Sequence, residues 1–297
     1  MIKKINFSFL FLSLLFLPSA QCFTRSNFEV PESFVSDPET GIYYVSNIKG
    51  GPLDKDGNGY ISKISANGNI AVQKFIGGKA DGVVLNAPKG LLVMGSELWT
   101  TDIDVVRVFN KRTGSLIRVI DASPLGAKFL NDIAYDGERG VYVSDMLGDQ
   151  ILKMDIRSDN KLTIFKKGSE LGNPNGLVFN PENKNLMVVT FKSGEIFEID
   201  AAGTRIVLQK GLSSLDGIDY DSQGNLYVSS FDKGEIYKIP SYGRGELGIF
   251  QKNLTTPADI SCDRKRNDLL VPSFKGNTVM TVYFFEKAMQ EKNSGSG

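Results

Sequence analysis

The chain is 297 residues long and carries 34 basic and 34 acidic residues, so its net charge is zero, and it contains no histidine. A balanced surface without long single-sign blocks gives no basis for binding nucleic acid or an anionic membrane, both of which rely on clustered Lys and Arg. The absence of histidine excludes Ser-His-Asp and Cys-His catalysis, His-ligated zinc and His general bases. Any catalysis must therefore use carboxylates, Lys, Tyr or a metal held by oxygen ligands.

The N-terminus reads as a secretory signal peptide: a basic start (Lys3-Lys4), an apolar run from Phe7 to Leu17 and a Pro18-Ser19-Ala20 exit. The run is too short for a bilayer span, which takes about 20 apolar residues. Gln21 is too large for the position preceding a lipidated cysteine, so Cys22 is not read as a lipid anchor. Residues 1–22 are accordingly set aside as signal peptide, 23–286 as a single folded domain and 287–297 as a polar tail. With only Cys22 and Cys262 present there is no disulfide framework or CxxC site, and Cys262 reads as a small buried hydrophobe. The expected product is exported, secreted or periplasmic, and monomeric, with no membrane association after signal removal.

A four-residue unit then recurs along the chain. Its copies are Pro31-Glu32-Ser33-Phe34, Pro88-Lys89-Gly90-Leu91, Leu130-Asn131-Asp132-Ile133, Pro174-Asn175-Gly176-Leu177, Leu215-Asp216-Gly217-Ile218 and Pro257-Ala258-Asp259-Ile260. Successive second positions are 57, 42, 44, 41 and 42 residues apart, the spacing of propeller blades. Each unit opens the same grammar, seen clearly after Leu215: Ile218-Asp219-Tyr220, a Gly/Asn turn, Leu226-Tyr227-Val228-Ser229-Ser230, a second turn, and Glu235-Ile236-Tyr237-Lys238-Ile239. Alternating apolar residues bounded by Gly, Asn and Asp are strand and hairpin signals. No stretch before the tail has a 3.6-residue apolar period, so no sizeable helix is expected. The fold class is all-β: a six-bladed β-propeller with four-stranded blades around a central channel. The long first interval reflects loops inserted around 49–58 and 77–87. The sixth blade lacks an outer strand of its own, and Asn27-Phe28-Glu29-Val30 is expected to supply it and close the ring.

In such a fold the innermost strands line the channel, so the second residues of the six units converge: Glu32, Lys89, Asn131, Asn175, Asp216 and Ala258. Two carboxylates about 4 Å apart repel by roughly 4 kcal/mol at an effective dielectric of about 20. Either a hard divalent cation offsets this, with Glu32, Asn131, Asn175 and Asp216 as oxygen donors, or Lys89 neutralises the carboxylates while the amides bond neighbouring backbone.

The ring resembles that of the gluconolactonase/regucalcin-like (senescence marker protein) family of six-bladed propellers, across all six blades. The resemblance implies one divalent metal, Ca²⁺ first with Zn²⁺, Mn²⁺ or Mg²⁺ as alternatives, held by Glu32, Asn131, Asn175 and Asp216. It also implies hydrolysis of a lactone or related ester, with Asp216 activating water. Two departures stand out. Phe129 occupies the place of a sugar-contacting Arg in regucalcin-type members, and Lys89 adds a cation beside the expected metal. Lys89, Phe129 and Asn131 are the expected substrate contacts, and Phe129 points to a less polar substrate than a sugar. The alternative function is a non-catalytic exported propeller that binds a ligand or protein, with the ring structural.

Two further patterns carry less. Asp54-Lys55-Asp56-Gly57-Asn58-Gly59-Tyr60-Ile61 begins like an EF-hand loop, but Ser65 stands where a bidentate Glu is needed. The Asp54–Ser62 segment is therefore expected to be a turn without high-affinity calcium. Asn253-Leu254-Thr255 is a glycosylation sequon. Trp99 and the many Phe and Tyr residues are expected to pack the blades.

Overall fold

The computed structural model describes residues 22–78, 82–158 and 161–284. The signal-peptide reading, apart from Cys22, and the polar-tail reading fall outside them. Six four-stranded antiparallel sheets form the six blades of a β-propeller. Blade 1 comprises Pro31–Ser36, Tyr43–Asn47, Tyr60–Ile64 and Ile70–Gly77; blade 2 Pro88–Met94, Glu97–Asp102, Val105–Asn110 and Leu116–Asp121. Blade 3 comprises Leu130–Tyr135, Gly140–Asp145, Gln150–Asp155 and Thr163–Lys167; blade 4 Pro174–Phe179, Leu186–Thr190, Ile196–Ile199 and Arg205–Gln209. Blade 5 comprises Leu215–Tyr220, Leu226–Ser230, Glu235–Ile239 and Gly248–Gln251. Blade 6 takes Ser261–Asp263, Asp268–Ser273 and Thr278–Tyr283, and its outer strand is Thr24–Arg25 from the opposite end of the chain.

Closure therefore occurs as expected in kind but not in place. The closing pairs are Thr24↔Met280 and Arg25↔Val279, upstream of the expected Asn27–Val30 segment. That segment cannot be a strand because Asn27 and Val30 both have left-handed backbone, φ 74° and 58°. On the inner side, Asp259 N donates to Glu32 O at 3.0 Å and Ser33 bridges Asp259, which joins the last blade to the first around the axis.

The apolar core is divided between blades rather than gathered in one mass. Trp99, Val106 and Val108 of blade 2 pack on Ile133, Val141 and Leu152 of blade 3, and Phe34, Tyr43 and Val45 of blade 1 pack on Leu270 and Val279 of blade 6. Equivalent clusters fill the other four blade junctions. Burying one such large side chain stabilises the fold by about 1.5–3 kcal/mol. Each blade thus depends on both neighbours, which is why the ring must close. Among the described residues helical structure is limited to short turns such as Pro240–Gly243, and no helix is long and apolar enough to cross a membrane.

The repeat unit has a definite local shape. In the first five blades the innermost strand slips register within the unit, between Pro31 and Phe34, Pro88 and Leu91, Leu130 and Ile133, Pro174 and Leu177, and Leu215 and Ile218. Bulges of this kind re-aim side chains, and here they release the second and third residues from pairing. The freed third-residue N–H is recaptured by a serine of the neighbouring strand. Ser33 N donates to Ser46 Oγ at 2.9 Å, Asp132 N to Ser144 Oγ at 2.9 Å and Gly217 N to Ser229 Oγ at 2.8 Å. This accounts for the repeated Tyr-Val-Ser at 44–46, 142–144 and 227–229. The third residue also faces the next blade at close range. A Cβ added at Gly217 would lie 2.1 Å from Ile260 N, and one at Gly176 would lie 2.4 Å from Asp216 O. Glycine there lets the innermost strands approach.

Candidate functional site

The residues in the second position of the repeat meet at one mouth of the channel. Glu32, Lys89, Asn131, Asn175 and Asp216 line a single pocket of about 180 Å³. None is more than 6 % exposed. The sixth position, Ala258, is buried and contributes no polar atom.

The hydrogen bonding of these side chains is incomplete in one consistent way. Asn175 Nδ2 donates to Leu215 O at 3.3 Å, and Asn131 Nδ2 approaches Met146 Sδ at 4.0 Å. Glu32 Oε2, Asn131 Oδ1, Asn175 Oδ1 and Asp216 Oδ1 are all buried without a partner. Most buried polar atoms are satisfied, and each one left unmade costs about 1–3 kcal/mol. Four partnerless oxygens in one pocket are the mark of a site whose occupant carries positive charge or hydrogen-bond donors. No group of three or more Cys, Asp or Glu among the described residues is arranged to hold a metal, so a cation here would rely on the two carboxamides as well as the two carboxylates. Hard divalent ions accept that mixture.

Lys89 does not neutralise the ring by direct contact. Among the described residues its Nζ donates to Ala87 O at 2.9 Å and stands 4.4 Å from the Phe129 ring centroid, with no carboxylate at ion-pair distance. Burial pushes its pKa down to about 8, against the opposing pull of Glu32 and Asp102.

Two acids that the repeat reading passed over belong to the same electrostatic cluster. Asp132 and Asp259, third residues of their units, lie one step along the channel from the ring and line the pocket of about 370 Å³ at the opposite side. Asp132 Oδ2 accepts from Leu177 N at 2.6 Å, tying blade 3 to blade 4. Burial holds Glu32 well above the usual carboxylate range, with Asp216 and Asp259 adding to it and Lys89 opposing. Burial and Asp259 do the same to Asp216, against a hydrogen bond from Asn175. Burial and Asp259 also raise Asp132, opposed by the N–H donors of Leu177 and Ile133. Asp259 itself is raised to about 7 by burial, with Ser33 opposing. The signal that could have found both acids is their position: every other third residue is Ser or Gly.

Around the ring stands an apolar collar built from another repeat position. The residue after each second strand is Ile48, Ile103, Met146, Phe191, Phe231 and Phe274 in blade order, and all but Ile103 line the ring pocket together with Phe129 and Pro52. In five blades the collar residue donates its N–H to the residue two before the ring position: Ile48 to Val30 O at 3.0 Å, Met146 to Phe129 O at 2.9 Å, Phe191 to Asn173 O at 3.0 Å, Phe231 to Ser214 O at 2.8 Å and Phe274 to Thr256 O at 3.0 Å. Asp145 Oδ1 accepts from Phe129 N at 2.8 Å and sets the approach to Asn131. The expectation that the phenylalanines only pack the blades is therefore corrected for Phe191, Phe231 and Phe274, and Phe129, an expected substrate contact, lines the same pocket. The shared position after the second strand was the available signal.

The remaining candidates lie elsewhere. In the Asp54–Ser62 segment Asp54 Oδ2 accepts from Gly51 N at 2.8 Å, Asp56 Oδ1 accepts from Asn58 N at 3.1 Å, and Lys55 reaches Asp104. Its acids serve a tight turn, and its lysine makes one ion pair outside it. Cys262 is buried at the blade 5–6 junction, and burial raises its thiol pKa, which leaves it a poor nucleophile.

No known sequence family and no curated protein matches the chain by sequence. Similarity is found among solved structures. Virginiamycin B lyase from Staphylococcus aureus is 13 % identical with a TM-score of 0.62, over 88 % of this chain and 98 % of that one. A protein of unknown function from Bacteroides thetaiotaomicron is 13 % identical with a TM-score of 0.66, over 89 % and 73 %. A luciferin-regenerating enzyme is 14 % identical with a TM-score of 0.65, over 90 % and 96 %. At these identities the likeness is one of fold. The chain is a six-bladed β-propeller whose structural neighbours include enzymes.

Proposed function

We propose that the chain is a metal-dependent hydrolase of a lactone or related ester, with one divalent cation held by Glu32, Asn131, Asn175 and Asp216. Ca²⁺ suits this donor set best; Zn²⁺, Mn²⁺ and Mg²⁺ are the alternatives. The observation that carries the reading is the set of four buried oxygens without partners around one pocket. When bound, the cation supplies Lewis-acid polarisation of the substrate carbonyl and charge that offsets the carboxylates.

The side chains divide the remaining work. Asp216 is the base that takes the proton from the attacking water. Burial and Asp259 hold its pKa above the usual carboxylate range, and positive charge in the ring favours its ionised form. Lys89 uses one N–H on Ala87 O and has others to donate to a substrate oxygen. Asn131 and Phe129 flank the bound substrate, and the collar excludes bulk water. The lyase neighbour operates differently: a variant of it with one histidine changed to alanine is described as catalytically inactive, and this chain has no histidine to put in that role. The N-terminal pattern supports export to the periplasm or the medium.

A second reading has its own observation. A buried lysine in the ring brings positive charge without metal, as a non-catalytic propeller binding a small ligand or a protein would allow. Turnover of lactones and aryl esters by metal-loaded protein, with and without chelator, separates the two. Metal-dependent hydrolysis lost in Asp216→Asn supports the enzyme, and no metal-dependent turnover on any substrate supports the binding protein.

A further inference from the structure

The collar is unequal around the axis. Blades 4, 5 and 6 contribute Phe191, Phe231 and Phe274, whereas blades 1, 2 and 3 contribute Ile48, Ile103 and Met146. The three phenylalanines form a continuous edge-on row: Phe191 and Phe231 centroids are 6.0 Å apart at 61°, Phe231 and Phe274 5.3 Å apart at 71°. All three are half-buried at the pocket they line. Their aromatic partners within the row are one another, Lys275 Nζ stands 5.8 Å from the Phe231 centroid, and the pocket is bounded by all three rings, which offer it an aromatic wall. The aromatic half stands over Asn175, Asp216 and Ala258, the last of which adds no bulk and no polar atom to the ring below.

We infer that the collar is a subsite for a flat, uncharged aromatic group, seated against Phe191, Phe231 and Phe274 so that the ester carbonyl attached to it faces Asn175 and Asp216. Aromatic pairs favour offset or edge-to-face geometry, and a row of edge-on rings offers both to an incoming ring. The pocket of about 180 Å³ is below the roughly 300–1,000 Å³ that encloses drug-sized ligands, which limits the occupant to about one ring fused to or bearing one ester. The collar provides no side-chain donor or acceptor, so a polyhydroxylated lactone seated against it would bury without partners those hydroxyls that face the phenylalanines rather than the polar ring below. Each would weaken binding by about ten-fold or more. The substrate class is thus an aryl ester or benzo-fused lactone rather than a sugar lactone. This rests on the proposed hydrolytic site for its ester, but the aromatic subsite is testable without turnover.

The test uses lactams, which share the ring shapes and resist hydrolysis. Calorimetry of the metal-loaded full chain would compare 3,4-dihydro-2-quinolinone, δ-valerolactam and gluconolactam. The fused aromatic lactam is expected to bind at least ten-fold more tightly than δ-valerolactam, with gluconolactam weakest. Phe231→Ala should cost the aromatic lactam about ten-fold and δ-valerolactam little. Phe231→Leu, which keeps apolar packing against Phe191 and Phe274, should retain the fold and the metal content but lose most of the aromatic preference. Equal affinity for the two apolar lactams, preference for gluconolactam, or full aromatic preference in folded Phe231→Leu would overturn the inference. Hydrolysis of the matching lactones is measured in parallel: aromatic preference without turnover keeps the subsite and removes the hydrolase, and turnover without the preference does the reverse.

Discussion

Replacing Asp259 by Asn should raise the stability of the metal-free protein at alkaline pH and leave it nearly unchanged in acid. Asp259 is buried beside the other channel carboxylates, and burial lifts its pKa from 3.8 to about 7. A raised acid binds its proton more tightly in the folded state than in the unfolded one. Its contribution is therefore fully present below about pH 4 and lost as pH rises through about 7. At 1.36 kcal/mol per pH unit the loss approaches about 4 kcal/mol at pH 8 and above. Asparagine keeps the shape and an acceptor for Ser33 while removing the titration. Urea unfolding in chelator at pH 5 and pH 8 reads the difference. At about 2–3 kcal/mol per molar urea, the variant's midpoint should exceed wild type by about 1.5 M at pH 8 and by only about 0.6 M at pH 5, where about 1.6 kcal/mol of the contribution is already lost. An equal shift at both pH values, or destabilisation at pH 8, would refute the electrostatic account of the channel.

Other perturbations have equally direct readouts. Gly217→Ala forces a Cβ to within 2.1 Å of Ile260 N and should cost about 3 kcal/mol or more, whereas Gly203→Ala, with open space around it but φ +84°, should cost only about 1 kcal/mol in thermal unfolding. Ser229→Ala removes both the acceptor for Gly217 N and the donor to Ala258 O, and should destabilise by about 2–3 kcal/mol without altering the bound-metal count. Lys89→Met takes one buried positive charge away from the ring, and calcium titration should show binding about ten-fold tighter near pH 7, the gap closing as Lys89 loses its proton above about pH 8. Asp216→Asn keeps an oxygen donor and removes the base, so hydrolysis should fall at least about a hundred-fold while substrate still binds.

The parts of the fold that repeat were legible in the sequence. The six units were visible because five blades share the same bulge and three of them the same serine to recapture the freed N–H, and chemistry shared among blades leaves a period. Glu32, Lys89, Asn131, Asn175 and Asp216 were legible for the same reason, since one repeat position maps to one ring. What escaped was decided by tertiary packing. Asp132 and Asp259 occupy a position that a local reading treats as spacer, and only the convergence of six strands turns it into a second acidic layer. The Phe191–Phe231–Phe274 row sits at strand ends, where a hydrophobic residue suits blade packing and pocket lining equally. Closure at Thr24–Arg25 rather than at 27–30 turned on two left-handed residues that composition does not reveal.

The central claim is that the four partnerless oxygens of the ring hold a divalent cation. Elemental analysis of purified full-length protein, dialysed against metal-free buffer after calcium loading, tests it directly in wild type, Asp216→Ala and Asn175→Ala. The account expects about one divalent ion per chain in wild type and a clear loss in both folded variants. Equal metal content in all three proteins, or none in wild type, would contradict it.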